Sequence, residues 1–120
     1  MHDPTEGGVA GGIQEMADAS KVGVKVSETE ILVQKETIEI CKFFKIDLLQ
    51  LISSGALLIA AEHTFSERIV ETLKKRGINA SVIGEFLKEP DNRVLIGKNG
   101  HAKPLARPLS DHLWAAVKQK

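Results

Sequence analysis

Met1-His2-Asp3-Pro4-Thr5-Glu6-Gly7-Gly8-Val9-Ala10-Gly11-Gly12 opens the chain, and in it a helix start and a glycine-rich turn are the same piece of sequence. Asp3 suits an N-cap, Pro4 suits the first helical position because it has no N–H to satisfy, and Glu6 completes a capping-box spacing. This reading starts a helix almost at residue 4. The first turn of such a helix leaves backbone N–H groups unpaired at the positive end of the dipole, and Gly7 and Gly8 carry no side chains to keep an anion away. The stretch is therefore a candidate phosphate or carboxylate site, with His2 beside it as a further contact. A second reading stands next to the first: a capped turn and a closely packed helix with no ligand. Glu6 favours it, because a carboxylate in the first turn repels another anion. For Gly11 and Gly12 the packing reading is preferred, in which they let the helix lie against a neighbour at about 1 kcal/mol each relative to Ala.

Outward from this stretch, 120 residues with 42% hydrophobic content suffice for one domain with a real core, spanning residues 1–120. Sixteen Lys and Arg balance sixteen Asp and Glu, and a net charge of zero argues against a nucleic-acid binder that works by bulk electrostatics. The charge is unevenly spread: residues 98–120 carry five bases against Asp111, net +4, leaving net −4 on residues 1–97. Such a tail is solvated, the simpler case, or self-complementary with the acidic body, or a source of cationic contacts to an anionic ligand. The single cysteine, Cys41, excludes an internal disulfide and fits a reducing, cytoplasmic setting. No apolar run approaches the ~20 residues of a membrane span, and no signal-peptide pattern opens the chain, so no membrane partner is expected.

Periodicity supplies the elements. Val9, Ile13, Met16 and Ala17 share a helical face, and Val22, Val24 and Val26 alternate as a strand over 22–27. Residues 34–45 read as a second helix with Ile38, Cys41 and Phe44 inward, and Asp47 to Ser53 as a helical turn or loop. Gly55-Ala56-Leu57-Leu58-Ile59-Ala60-Ala61 is a continuous apolar run, the pattern of a central strand covered on both faces. Thr64 and Glu67 form a capping box for a third helix with a Phe65, Ile69, Val70, Leu73 stripe and a Gly77 stop. Residues 79–87 and 93–96 read as the two strands of a hairpin around Pro90-Asp91-Asn92. Residues 98–108 form an extended connection, and Ser110 caps a short helix burying Leu113, Trp114 and Val117. The order implies an α+β fold with a mixed, partly antiparallel sheet and packed helices.

Other chemistry is sparse. The histidines at 2, 63, 101 and 112 have no metal-ligand spacing, so no metal site is expected. Cys41 sits on an apolar helix face as a small hydrophobe, and Ser53-Ser54-Gly55 lacks a nucleophile-elbow pattern and reads as a strand-entry turn. No Walker loop, dinucleotide fingerprint or carboxylate-rich magnesium site is present in the sequence.

The Asp3-Pro4-Thr5-Glu6-Gly7-Gly8 signature is followed by a helix ending near Ala19-Ser20, by Val22-Gly23-Val24, and by Ile46-Asp47-Leu48-Leu49 leading through Ser54-Gly55 into Leu57-Leu58-Ile59-Ala60. With the capped third helix and Val82-Ile83-Gly84-Glu85, this pattern resembles the C-terminal domain of the aminoimidazole ribonucleotide (AIR) synthetase superfamily over nearly the whole chain to about residue 97. It is most similar to hydrogenase expression/formation (maturation) and archaeal AIR-synthase-related proteins. The resemblance implies a ferredoxin-like layer and a two-domain, ATP-dependent parent using ATP and Mg, whose N-terminal ATP-binding domain, in the same or a separate chain, usually acts across a homodimer. It implies that Asp3, Thr5, Gly7 and Gly8, with His2 alongside, face a substrate or phosphate cleft able to take an anionic small molecule. This chain alone would then need no cofactor, supply one wall of the cleft and not turn over ATP.

Two departures limit the carry-over. Hydrogenase-maturation proteins typically have a basic residue where this chain has Glu6, and they end in a Pro-Arg-Ile-Cys tail, whereas this chain ends Ala115-Ala116-Val117-Lys118-Gln119-Lys120. Tail-cysteine chemistry is therefore not implied. The rival expectation is a non-catalytic, stand-alone binding or dimerisation module of the same fold.

Overall fold

A computed structural model describes residues 1–118 of the chain. The element order is α1 (Gly8–Ser20), β1 (Gly23–Ser27), α2 (Lys35–Phe44), α3 (His63–Lys75), β2 (Gly84–Leu87), β3 (Arg93–Ile96), β4 (Ala102–Pro104) and α4 (His112–Val117), with 3-10 turns at Glu28–Glu30 and Leu48–Gln50. The fold is α+β, and its four-stranded sheet has the order β2-β1-β3-β4. β1 runs antiparallel to β2 and parallel to β3, and β3 runs antiparallel to β4. The sheet is mixed, as the sequence implies.

Its pairing corrects the expected hairpin. β2 and β3 do not touch as partners; β1 lies between them, with Val24 opposite Phe86 on one side and Arg93 on the other. The alternating valines of β1 make it the inner strand: Val24 and Val26 are buried while Lys25 is exposed. Strand β2 begins only at Gly84, with the Ile83 carbonyl still accepting from Ser27 N at 2.8 Å and residues 79–82 leading in as irregular chain.

Helix α1 covers the sheet with Ala10, Ile13 and Ala17, which join Val24, Val26, Leu49, Leu95 and Leu105 in one core. Burying a side chain such as Val26 contributes about 1.5–3 kcal/mol. The helix starts four residues later than the capping pattern suggests. Gly7 and Gly8 have φ of 81° and 65°, left-handed values that break a helical path running from Pro4, and Pro4 is instead fully buried as part of a loop. Helices α1 and α2 end on Lys21 and Lys45, both at φ 55°, and Val22 and Ile46 donate back to the Ala17 and Cys41 carbonyls in Schellman geometry. Helix α3 ends the same way with Gly77, at φ 79°, in the expected role.

The largest departure is Gly55–Ala61. It forms no strand of the sheet; a single antiparallel bridge joins Leu58 to His2, and Leu57 and Ile59 are exposed. Its continuous apolar pattern has the composition of a buried strand, but only Leu58 turns onto the core, against α1, and the rest of the segment is exposed. Helix α3 shares this exposure: none of its residues is buried, and Phe65 is 50% exposed. Its capping box does not form, since Glu62 occupies the N-cap position without a side-chain bond. Helix α2 buries Cys41 as expected, leaving Ile38 and Phe44 half-buried and Phe43 exposed with its ring edge-on to Phe44. At the end of the chain, α4 is capped by Asp111 rather than Ser110, and Trp114 and Val117 stay largely exposed. The expectation for the last two residues of the tail lies outside the described residues.

Candidate functional site

The opening loop is built by three anchors. Pro4 and Leu58 press on α1 at Gly12, where a Cβ would come within 3.0 Å of Pro4 Cβ and 2.9 Å of Leu58 Cδ1. Gly8 sits against the Leu49–Leu51 backbone; a Cβ there would run into the carbonyl oxygens of Leu51 and Leu49. The third anchor is Asp111, whose Oδ2 accepts from Gly7 N at 2.8 Å and whose Oδ1 accepts from Leu113 N at 2.8 Å. Asp111 is only 4% exposed, so its carboxylate sits inside the protein on the backbone donor that the helix start presents. The tail supplies an anion to the glycine loop.

This geometry sorts the residues singled out in the sequence. Gly7 and Gly8 are buried, with the Gly7 N–H held by Asp111 and the Gly8 N–H by the Thr5 carbonyl. Asp3 and Thr5 are exposed, and their side chains make no hydrogen bond among the described residues. His2 is half-exposed; its Nε2 lies 2.6 Å from Glu15 Oε2 on the first turns of α1. The loop thus presents two free carboxylates, Asp3 and Glu6, and the Thr5 hydroxyl with an imidazole beside them, on a backbone whose own donors are largely satisfied. Among the described residues no group of three His, Cys, Asp or Glu is placed to hold a metal ion. With its Gly7 and Gly8 N–H groups taken, the loop by itself offers acidic and hydroxyl oxygens rather than an anion cradle, and it is not a complete cation cage.

Next to the loop, the tail is knotted to α1. Gln14 is buried and donates to the Leu105 and Ala106 carbonyls, and its Oε1 accepts from Arg93 and Arg107. Asp18 receives Arg107 at 2.8 Å and Arg93 at 2.7 Å, and those two guanidiniums, Arg107 first, hold its carboxyl well below the usual carboxylate range. Arg107 is raised in turn by Asp18. The base of the tail is self-complementary with the acidic body through this cluster. Elsewhere, burial pushes the Cys41 thiol up, with Asp47 adding to it, so this thiol is a poor nucleophile at neutral pH.

Sequence reasoning missed Asp111, Gln14 and Glu15. Asp111 was findable: Asp is as good an N-cap as Ser, and Leu113 follows at the N2 position whose N–H it takes. Its second bond, across 104 residues to Gly7, has no local signal.

The AIR synthase related protein C-terminal domain family matches residues 1–97. The chain is 31% identical to a candidate hydrogenase expression/formation protein of Methanocaldococcus jannaschii, covering 91% of this chain and 34% of that protein. It is likewise 31% identical to the carbamoyl dehydratase HypE of Escherichia coli, covering 89% of this chain and 34% of the relative. The fold superposes on a crystal structure of Escherichia coli HypE with a TM-score of 0.82 at 28% identity, over 95% of this chain and 36% of that one. A HypE structure in complex with ATP gives a TM-score of 0.79 at 26% identity, over 87% and 34% of the two chains. The chain spans about a third of the length of these relatives. On the strength of the matched residues and the shared fold, this chain belongs to the AIR synthase related family, as its C-terminal domain.

Proposed function

We propose that residues 1–120 form one domain of a hydrogenase-maturation-type, ATP-dependent protein, and that Asp3, Thr5, Gly7 and Gly8, with His2, line one wall of a substrate or phosphate cleft. An N-terminal ATP-binding domain, in the same or a separate chain and usually within a homodimer, forms the other wall. ATP and Mg belong to the assembled cleft. The setting is cytoplasmic; among the described residues no helix is long and apolar enough to cross a membrane.

One observation carries the reading: Asp3 and Thr5 stand free and exposed on a loop that Pro4, Gly8 and Asp111 fix from behind. Fixed polar groups lose little entropy when they meet a ligand, which is what a cleft wall needs. Asp3 would orient a cation-bound phosphate, Thr5 would donate to a phosphate oxygen, and His2 would stand beside them with its ring fixed through Nε2 by Glu15. Gly7 and Gly8 contribute shape and loop direction, since their N–H groups are taken. Alone, the chain does not turn over ATP.

The test is reconstitution. The N-terminal half of the Methanocaldococcus jannaschii relative, mixed with this chain, is expected to hydrolyse ATP faster than either piece, with Asp3→Ala and Thr5→Ala each reducing the gain. Comparable hydrolysis by the 120-residue chain alone, or an unaltered gain with Asp3→Ala, sinks the proposal. A second reading, a non-catalytic binding or dimerisation module, is favoured by the exposed Leu57, Ile59 and Phe65. It predicts association without any effect on ATP turnover.

A further inference from the structure

The bridge between His2 and Leu58 is a hydrogen-bonded antiparallel pair: His2 N donates to Leu58 O and Leu58 N to His2 O, both at 2.8 Å. On one side the ladder is closed. Pro4 would stand opposite Ala56, and it has no N–H to give, while the Ala56 N–H is already bonded to Ser53 O. On the other side it is open. In antiparallel register Met1 stands opposite Ile59 as a non-hydrogen-bonded pair, and the second residue preceding His2 would stand opposite Ala60 as the next hydrogen-bonded pair. The Ala60 N–H has no backbone partner among the described residues.

Three further observations meet at this edge. Gly55–Ala61 has the composition of a buried strand and yet is exposed at every residue but Leu58. Neighbouring α3 has a well-formed apolar stripe and no buried residue. The relatives are about three times the length of this chain, so polypeptide is available in them to lie here.

We propose that Gly55–Ala61 is an acceptor edge for an extended strand that continues the His2–Leu58 pairing antiparallel toward the N-terminal side, converting a one-rung bridge into a strand pair. The occupant is the stretch of polypeptide preceding the His2 position in a longer protein of this family. The inference rests on the proposed function only for that two-domain origin; its readout is independent of ATP.

Amide hydrogen exchange tests it by register. The segment of the Methanocaldococcus jannaschii relative that immediately precedes its matched residues is fused to Met1, and also supplied as a free peptide to the unmodified 120-residue chain. Exchange at Ala60 is expected to slow by about tenfold or more, with the Ile59 and Ala61 amides, which face the opposite edge, unchanged. Ala60→Pro, which removes the donor at an exposed position, is expected to abolish any rise in melting temperature brought by the segment while leaving the melting temperature of the 120-residue chain unaltered. Unchanged exchange at Ala60 in both formats overturns the proposal, as does protection at Ile59 and Ala61 instead, or a full segment effect in the Ala60→Pro protein. Protection at Ala60 with no ATP turnover in the reconstituted pair would sustain the edge and remove the enzyme reading.

Discussion

Two regions of this molecule are built from similarly apolar sequence and end up in opposite conditions. In the first, α1, the sheet, the Leu48–Gln50 turn and Leu105 share one core, and the polar groups buried beside it, Gln14 and Asp111, are paired. In the second, residues 52–82, Leu57, Ile59, Phe65 and Ile78 face outward, and no hydrophobic residue is buried. The contrast teaches that a periodic apolar pattern specifies a face that wants covering, and only the rest of the polypeptide decides whether it is covered.

The comparison breaks most readily at Gly8. Gly8→Ala adds a Cβ against the Leu49 and Leu51 carbonyls at a left-handed φ, so a loss of about 3 kcal/mol or more is expected in urea unfolding. If that substitution proved neutral, the loop would not be fixed from behind. Asp111→Ala comes next: it strands the Gly7 N–H and uncaps α4, and about 2 kcal/mol of stability should go with it. A subtler lever is pH. Because Asp18 has its pKa depressed in the folded state, its contribution is fully present above the unfolded carboxylate value of about 3.9 and is lost as pH falls through and below it. An acid titration of stability should therefore flatten in Asp18→Asn, and an equally steep loss in that variant would remove the Arg93–Asp18–Arg107 cluster from the account. Lys21→Gly, relieving a left-handed lysine, should stabilise by about 0.5–1 kcal/mol. The smallest effect sharpens the contrast from the open side. Phe65→Ser in the 120-residue chain should shift stability by under about 0.5 kcal/mol, whereas a comparable cut at Ile13 should cost several-fold more.

Legibility in the sequence followed the same division. Strand β1, the register of α2 around Cys41, the Gly77 stop and the close packing at Gly12 were all readable, because each depends on neighbours in sequence or on a local backbone need. The false hairpin arose because Pro90-Asp91-Asn92 is a sound turn, and nothing local to it announces that a strand from 60 residues earlier will insert. The start of α1 was misplaced because Asp3 and Pro4 make an excellent cap on paper, while Gly7 and Gly8 take left-handed conformations that tertiary packing at Leu49–Leu51 selects. The candidate site was legible as a location. Its chemistry was not, because the identity of the group bound to the Gly7 N–H depends on a residue 104 positions away.

That long-range bond also orders events during synthesis. The family match ends at residue 97, yet Leu105 belongs to the core and Asp111 closes the glycine loop. On the ribosome the glycine loop emerges 104 residues ahead of Asp111, so its Gly7 N–H waits for that stretch to be made before it meets its carboxylate. A chain released after residue 97 but before residue 111 would carry the whole family match and leave the loop unfastened.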